Sequence, residues 1–298
     1  MKRTYYFISL CILTLIFSCS KEDALTPTDT QYDYFTVSPD ATDAESVLRR
    51  KFHEDHNIHL LFNDTLRHEL QGTYADGTPY YFTELLDLPY NITSTLDDVQ
   101  FTYIKNYEQK ESSVKFVEKY ILTHLGTSLR PYSIFLVDEL YEADYYGDWD
   151  PIDFYIGRRC LALATRDIPE TDEDEISEYA LDVLYNFIKS QISYRDAEFT
   201  EFLSFGSEYY GEDFIDHNDV FKNGYEKPQH DDLYALGFIS WNGRNKYFPY
   251  ENNDLSAYLR ALFYDDEEEF KAQYANYPVI IQKYNILKEV VKQKGYIF

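Results

Sequence analysis

The sequence predicts an α+β fold in a single domain over residues 41–298. Segments with helical spacing and short apolar runs typical of buried strands occur in mixed order, without the β-α-β alternation of a doubly wound sheet. No internal repeat or composition boundary divides the stretch. With 298 residues and 44% hydrophobic content, the chain is long and apolar enough to close a core.

Taken in order, Thr42 or Asp43 is placed to cap a helix running to about His56, with Glu45 in its first turn and Val47, Leu48 and Phe52 toward the core. Asn57 ends it, and Ile58–Phe62 reads as a strand. Residues 72–80, carrying Gly72, Asp76, Gly77 and Pro79, read as a loop or hairpin. Val114, Val117, Ile121 and Leu125 give helical spacing across 113–125, with Gly126 just past the end. Ile134–Val137 and Cys160–Ala164 read as strands, separated by an acidic, aromatic loop over 141–155. A helix over about 175–190 has Ile176, Tyr179, Leu184, Phe187 and Ile188 on its apolar face. The acids before it, Glu170 and Asp172 to Glu175, suit the positive end of that helix and need no ligand. Residues 205–253 read as irregular, and 255–263 as helical. The closing helix, about 279–294, puts Ile280, Tyr284, Leu287 and Val291 inward and Lys288, Lys292 and Lys294 outward.

The charge balance, 27 Lys+Arg against 53 Asp+Glu, disfavours nucleic acid as a partner because phosphates are repelled. Three cysteines make no disulfide framework. Lys2 and Arg3 followed by the apolar run Tyr5–Phe17 read as an export signal over residues 1–18, too short for a membrane span. Ile16-Phe17-Ser18-Cys19 resembles a bacterial lipobox, which implies cleavage before Cys19 and lipid on its thiol. Residues 19–40 then form a lipidated cysteine and flexible tether. Ser20-Lys21-Glu22-Asp23 looks like the surface-export signal of Bacteroidetes lipoproteins, which implies the outer membrane, facing outward. Cys160, beside Leu161 and Leu163, reads as a core residue.

Seven histidines invite a search for metal ligands. In the run from Phe52 to His59, His53-Glu54 is followed by His56 one residue too early for a zinc helix, so His53, His56 and His59 read as a solvated helix end, with a surface zinc site as the lesser alternative. His68, His124, His217 and His230 are isolated in sequence and read as surface or capping residues. No nucleophile elbow or phosphate-binding glycine loop is present. Asp148, Asp150 and Asp153 read as a solvated acidic loop rather than a calcium site. The acid content allows a glycosidase-type carboxylate pair without selecting one. Among 31 Tyr, 21 Phe and 2 Trp, two clusters stand out: Tyr141/Tyr145/Tyr146/Trp149 and Trp241/Tyr247/Phe248/Tyr250. Each suits stacking on sugar rings, gripping peptides, or plain core packing.

The stretch Val47-Leu48-Arg49-Arg50-Lys51-Phe52 through Asn57-Ile58-His59-Leu60-Leu61-Phe62 resembles the opening of the Bacteroidetes substrate import-associated zinc metallohydrolase lipoproteins, also called zinc-binding metallo-peptidases. Leu129-Arg130-Pro131-Tyr132-Ser133-Ile134-Phe135-Leu136-Val137, Ala235-Leu236-Gly237-Phe238-Ile239-Ser240 and the closing helix also look like that family. The resemblance implies a zincin-like metallopeptidase scaffold, a mixed small sheet packed with several helices. It puts Asp182-Val183-Leu184-Tyr185-Asn186 where the family carries its His-Glu-x-x-His zinc helix, and Asn253-Asp254-Leu255-Ser256-Ala257 where its downstream acidic ligand lies. Asp182, Val183, Asn186, Asn253 and Ala257 are therefore degenerate zinc-site positions, and no cofactor is expected. The function so implied is a non-catalytic surface lipoprotein that assists capture of peptide or glycan by a TonB-dependent transporter and its lid lipoprotein. The alternatives are an active zinc metallopeptidase or other hydrolase with ligands elsewhere, such as His217 or His230, and a structural subunit of the import complex.

Overall fold

The computed structural model describes residues 33–89, 98–221, 228–241 and 246–298; the export signal and Cys19 lie outside the described residues. The fold is α+β. Asp43 caps α1 (Ala44–His56), its carboxylate accepting from the Ser46 amide, and Asn57 closes the helix in the left-handed conformation. Phe52 is buried, but Val47, expected inward, is 47% exposed. The helix rests along the Leu48–Phe52 line, and Val47 falls about 100° off it.

After β1 (His59–Leu61) comes a long hairpin, β2 (Thr65–Thr73) and β3 (Pro79–Leu85), whose turn lies inside the segment read as loop or hairpin. β4 (Val99–Thr102) precedes α2 (Tyr107–Phe116), which starts earlier than the spacing predicts because Asn106 caps it. The helix then widens into a π turn (Val117–Ile121) and tightens into a 3-10 turn (Leu122–His124), rotating Leu122 and Leu125 into the core with Val117 and Ile121.

β5 (Ser133–Val137) is buried along its whole length and pairs parallel with β1 and with β9 (Leu161–Ala164). Its alternation separates two cores. Ile134 and Leu136 face the helices, while Phe135 and Val137 face Phe35, Leu140 and Cys160. The expected loop over 141–155 is instead β6 (Glu139–Ala143), β7 (Trp149–Pro151) and β8 (Phe154–Ile156). Turn chemistry explains the difference: the Asp144 carboxylate accepts from the amides of Tyr146 and Asp148 and folds the chain back. β4-β6-β7 form a small antiparallel sheet, and β8 closes the edge of the β1-β5-β9 sheet antiparallel to β9.

Asp172 caps α3 (Glu173–Ser190), accepting from the amides of Asp174 and Glu175, so the acidic run is used at a helix start as expected. A short α4 (Thr200–Ser204) follows. The region read as irregular holds a 3-10 segment (Phe214–Val220), α5 (His230–Ala235) and its own aromatic core of Phe214, Phe221, Phe238 and Phe248. α6 (Glu251–Tyr264), α7 (Glu267–Gln273) and α8 (Pro278–Lys294) complete the chain. Ile280, Tyr284, Leu287 and Val291 are buried as their spacing requires. Residues 33–40, expected as the end of a flexible tether, instead rest on the domain, where Arg50 donates to the Ser38 and Pro39 carbonyls. Phe35 is 2% exposed, and the Asp33 carboxylate is held by His59 and Tyr132, each at 2.9 Å.

Lys288, expected outward, is mostly covered and reaches Glu267, which also accepts from Lys271 at 2.6 Å. Hydrogen bonds from Lys271 and Lys288 push the Glu267 carboxyl down to about 2 from its ordinary 4.5. A depressed folded-state pKa stabilises the fold above the unfolded value, and that contribution fades as pH falls from 4.5 toward 2. Glu267→Gln is therefore expected to lower the urea midpoint at pH 7 and to approach wild type near pH 3. An equal deficit at both pH values would contradict this linkage.

Candidate functional site

The positions marked for zinc lie on α3 and α6, and those on α3 are otherwise engaged. Asp182 accepts a hydrogen bond from the Tyr264 hydroxyl. Val183 is 1% exposed in the main core, and the Asn186 amide donates to the Asp182 carbonyl at 2.9 Å. Asn253 is exposed and Ala257 half-buried. Asp254, between them, is buried: its Oδ2 receives Lys283 Nζ at 2.5 Å and the Tyr210 hydroxyl at 2.6 Å. Asp254 and Tyr264 stand near opposite ends of α6, about 15 Å apart in helix rise, so the Asp182 and Asp254 networks are separate. This donor set does not fit a zinc ion: an aliphatic side chain, an amide turned to its own helix, and a carboxylate held by tyrosine, with no imidazole among them.

Nor do the histidines converge on one point. His59 is buried against Asp33, His53 stacks on it with ring centroids 4.3 Å apart, and His56 turns to Glu118 at 3.0 Å. The solvated reading fails for His59 because β1 begins there and carries it inside. Burial lowers the His59 pKa, with Asp33 opposing. His68 stacks on Tyr81, His124 bonds the Ile297 carbonyl, His217 packs edge-on to Tyr209, and His230 lies against Trp241. Among the described residues, no three His, Cys, Asp or Glu side chains are grouped to hold a metal ion. Cys160 is buried, and burial pushes its thiol up to about 12, so it stays protonated.

Two roomier concave sites stand out among the described residues. The first is a cleft of about 310 Å³ at the carboxyl ends of β5 and β9, walled by the first turns of α3. Asp138, Asp153, Arg166, Asp167 and Tyr179 line it with Leu140 and Ile176. Burial works to raise Asp138, but hydrogen bonds from Gln109 and Arg166 outweigh it and hold the carboxylate below its ordinary range. Asp153 is pushed the other way, by burial and then by the charges of Asp182 and Asp167. β9 separates the two, which places their backbones about two strand spacings, ~10 Å, apart. Two carboxyls with opposite proton preference can divide acid and base roles. Asp148 and Asp150, read together with Asp153, instead lie on the exposed β6–β7 hairpin. The cleft was missed in sequence, although an acid directly after an all-apolar strand marks the carboxyl end where such clefts form.

The second site resolves the two aromatic clusters. Tyr145 and Tyr146 sit on the β6–β7 turn, 96% and 86% exposed, with Trp149 just beyond, and none of the three lines either site, whereas Tyr141 lines the cleft. Trp241, Tyr247, Phe248 and Tyr250, with Ser240, Pro249 and Asn253, line a pocket of about 500 Å³. Phe248 belongs to the floor, 1% exposed, while Tyr247 and Tyr250 are open at 48% and 57%. Compared with family models, with curated proteins and with solved structures, the chain matches none.

Proposed function

We propose that this chain is a lipid-anchored protein of the outer cell surface, built on a zincin-like scaffold without zinc chemistry. It captures peptide or glycan for a TonB-dependent transporter and its lid lipoprotein. The observation that carries the reading is the fate of α3. At the position of the resembled zinc helix, the place of the general base is taken by Val183, sunk in the core, and neither Asp182 nor Asn186 is free to bind metal. The aromatic pocket supplies a binding surface independent of that helix. In this reading Cys19 supplies the anchor.

A second reading rests on the cleft between Asp138 and Asp153, whose opposed proton preferences suit a carboxylate hydrolase. One preparation separates the two. The full chain, purified in detergent without a His-tag and dialysed against trace zinc, is expected to hold far less than one zinc per chain by mass spectrometry and to release no product from peptides or neutral oligosaccharides. About one tightly held zinc per chain would sink the first reading. Oligosaccharide cleavage that disappears in Asp153→Asn would establish the second.

A further inference from the structure

We propose that the pocket around Tyr250 is a subsite for one or two units of a neutral oligosaccharide, with the Tyr250 ring as its stacking platform. The proposal rests on the capture reading above and narrows it to one ligand class and one place.

The described residues of the lining are uncharged. They are Ser240, Trp241, Tyr247, Phe248, Pro249, Tyr250 and Asn253, in a chain of which 27% is Asp, Glu, Lys or Arg. Among the described residues a charged ligand finds no counter-charge in the lining, and the net charge of -26 disfavours an anion. The polar side-chain groups of the described lining are the hydroxyls of Ser240, Tyr247 and Tyr250, the Asn253 amide and the Trp241 indole N–H. Among the described residues none of these side chains has a hydrogen-bond partner. They offer both donors and acceptors to a ligand that carries both, which is the chemistry of sugar hydroxyls.

The platform is held in advance. Gly211 has φ +73, and a Cβ there would stand 2.7 Å from Tyr250 Cε1, so the tyrosine ring lies directly on the glycine. The Cδ1–Cε1 edge of the ring is thereby braced, while 57% of the residue stays open. The strip carrying it is fixed by backbone bonds to the neighbouring segment: Gly211 donates to the Pro249 carbonyl at 3.2 Å, Phe248 to Glu212 at 3.0 Å and Phe214 to Lys246 at 2.9 Å. An open aromatic ring braced along one edge, with neutral polar groups beside it, suits the apolar C–H face of a pyranose, because the ring's negative face attracts those hydrogens and bracing lowers the ordering cost.

The test is calorimetric titration of the full chain with cellohexaose, xylohexaose, mannohexaose and maltohexaose, and with a tryptic casein digest as the peptide probe. Wild type is expected to bind at least one hexasaccharide. Tyr250→Phe should keep that affinity within a few-fold, because the stacking face remains. Tyr250→Ala should weaken it about tenfold, and Gly211→Ala should weaken it as well by displacing the ring. Tyr250 is exposed, so its truncation leaves the fold intact. Hexasaccharide binding unchanged in Tyr250→Ala would overturn this location and leave capture standing. Binding of the digest but of no sugar, sensitive to Tyr250→Ala, would overturn the ligand class and leave capture standing. No binding of either probe by wild type would overturn both.

Discussion

Lys283→Met is expected to destabilise the protein by about 3–5 kcal/mol, the scale for removing one partner of a buried ion pair. Lys283 has no exposed surface, and Asp254 is 2% exposed. The ammonium donates to Asp254 and to the Gly237 carbonyl, at 2.5 and 2.9 Å, and is walled by the rings of Phe202, Tyr258 and Phe238 at 4.6, 4.8 and 5.1 Å. Burial pushes Asp254 up and Lys283 down, each against the attraction of the other, so neither charge is comfortable alone. With methionine in place, Asp254 keeps only the Tyr210 hydroxyl. The double change Lys283→Met with Asp254→Leu removes both desolvation penalties and should recover most of the loss. Urea unfolding of the two single variants and the double variant measures this. A double variant as unstable as the sum of the singles would show that the pair is not coupled.

Phe248→Ala is expected to cost about 3–5 kcal/mol, the usual range for emptying a buried phenylalanine site. The Phe248 ring meets Phe214 at 4.8 Å, Tyr209 at 5.2 Å and Phe238 at 5.7 Å, at the centre of the small aromatic core. That core is separate from the large one built on α3, α6 and α8, so the loss should fall mainly on residues 205–253. Hydrogen exchange should show lost protection around Phe214 and Phe238 and little change in α3. Equal loss of protection in both places would mean that the two cores unfold as one.

The elements legible in the sequence were those whose signals are local. Asp43, a cap candidate beside Thr42, does cap its helix because its carboxylate bonds an amide three residues on, a pattern visible in a short window, and the acids from Asp172 to Glu175 do lie at a helix start. The Ile280–Tyr284–Leu287–Val291 row is buried because helix geometry alone puts those residues on one face. Ile134–Val137 reads as a buried strand because it has no polar residue to expose. The β6–β7–β8 stretch was misread because acids and tyrosines hide a strand pattern, and one aspartate turn reorganises it. Val47 was misplaced because the apolar stripe is wider in sequence than the surface the helix covers.

The candidate sites divide along the same line. The sequence by itself determined the α+β class, a cap at Thr42 or Asp43, a core reading of Cys160, the absence of a His-Glu-x-x-His motif, and two aromatic clusters of equal standing. Only the tertiary structure decided between those clusters, turning Tyr145 and Tyr146 out on a hairpin tip and closing Tyr247, Phe248 and Tyr250 around a pocket. It alone paired Lys283 with Asp254, set Tyr250 on Gly211, and brought Asp138 and Asp153 to one cleft. Caps and amphipathic faces follow from bonds spanning three or four residues. Pockets and buried ion pairs join segments tens of residues apart, and those meet only when burial of the shared core chooses one arrangement of the helices and strands.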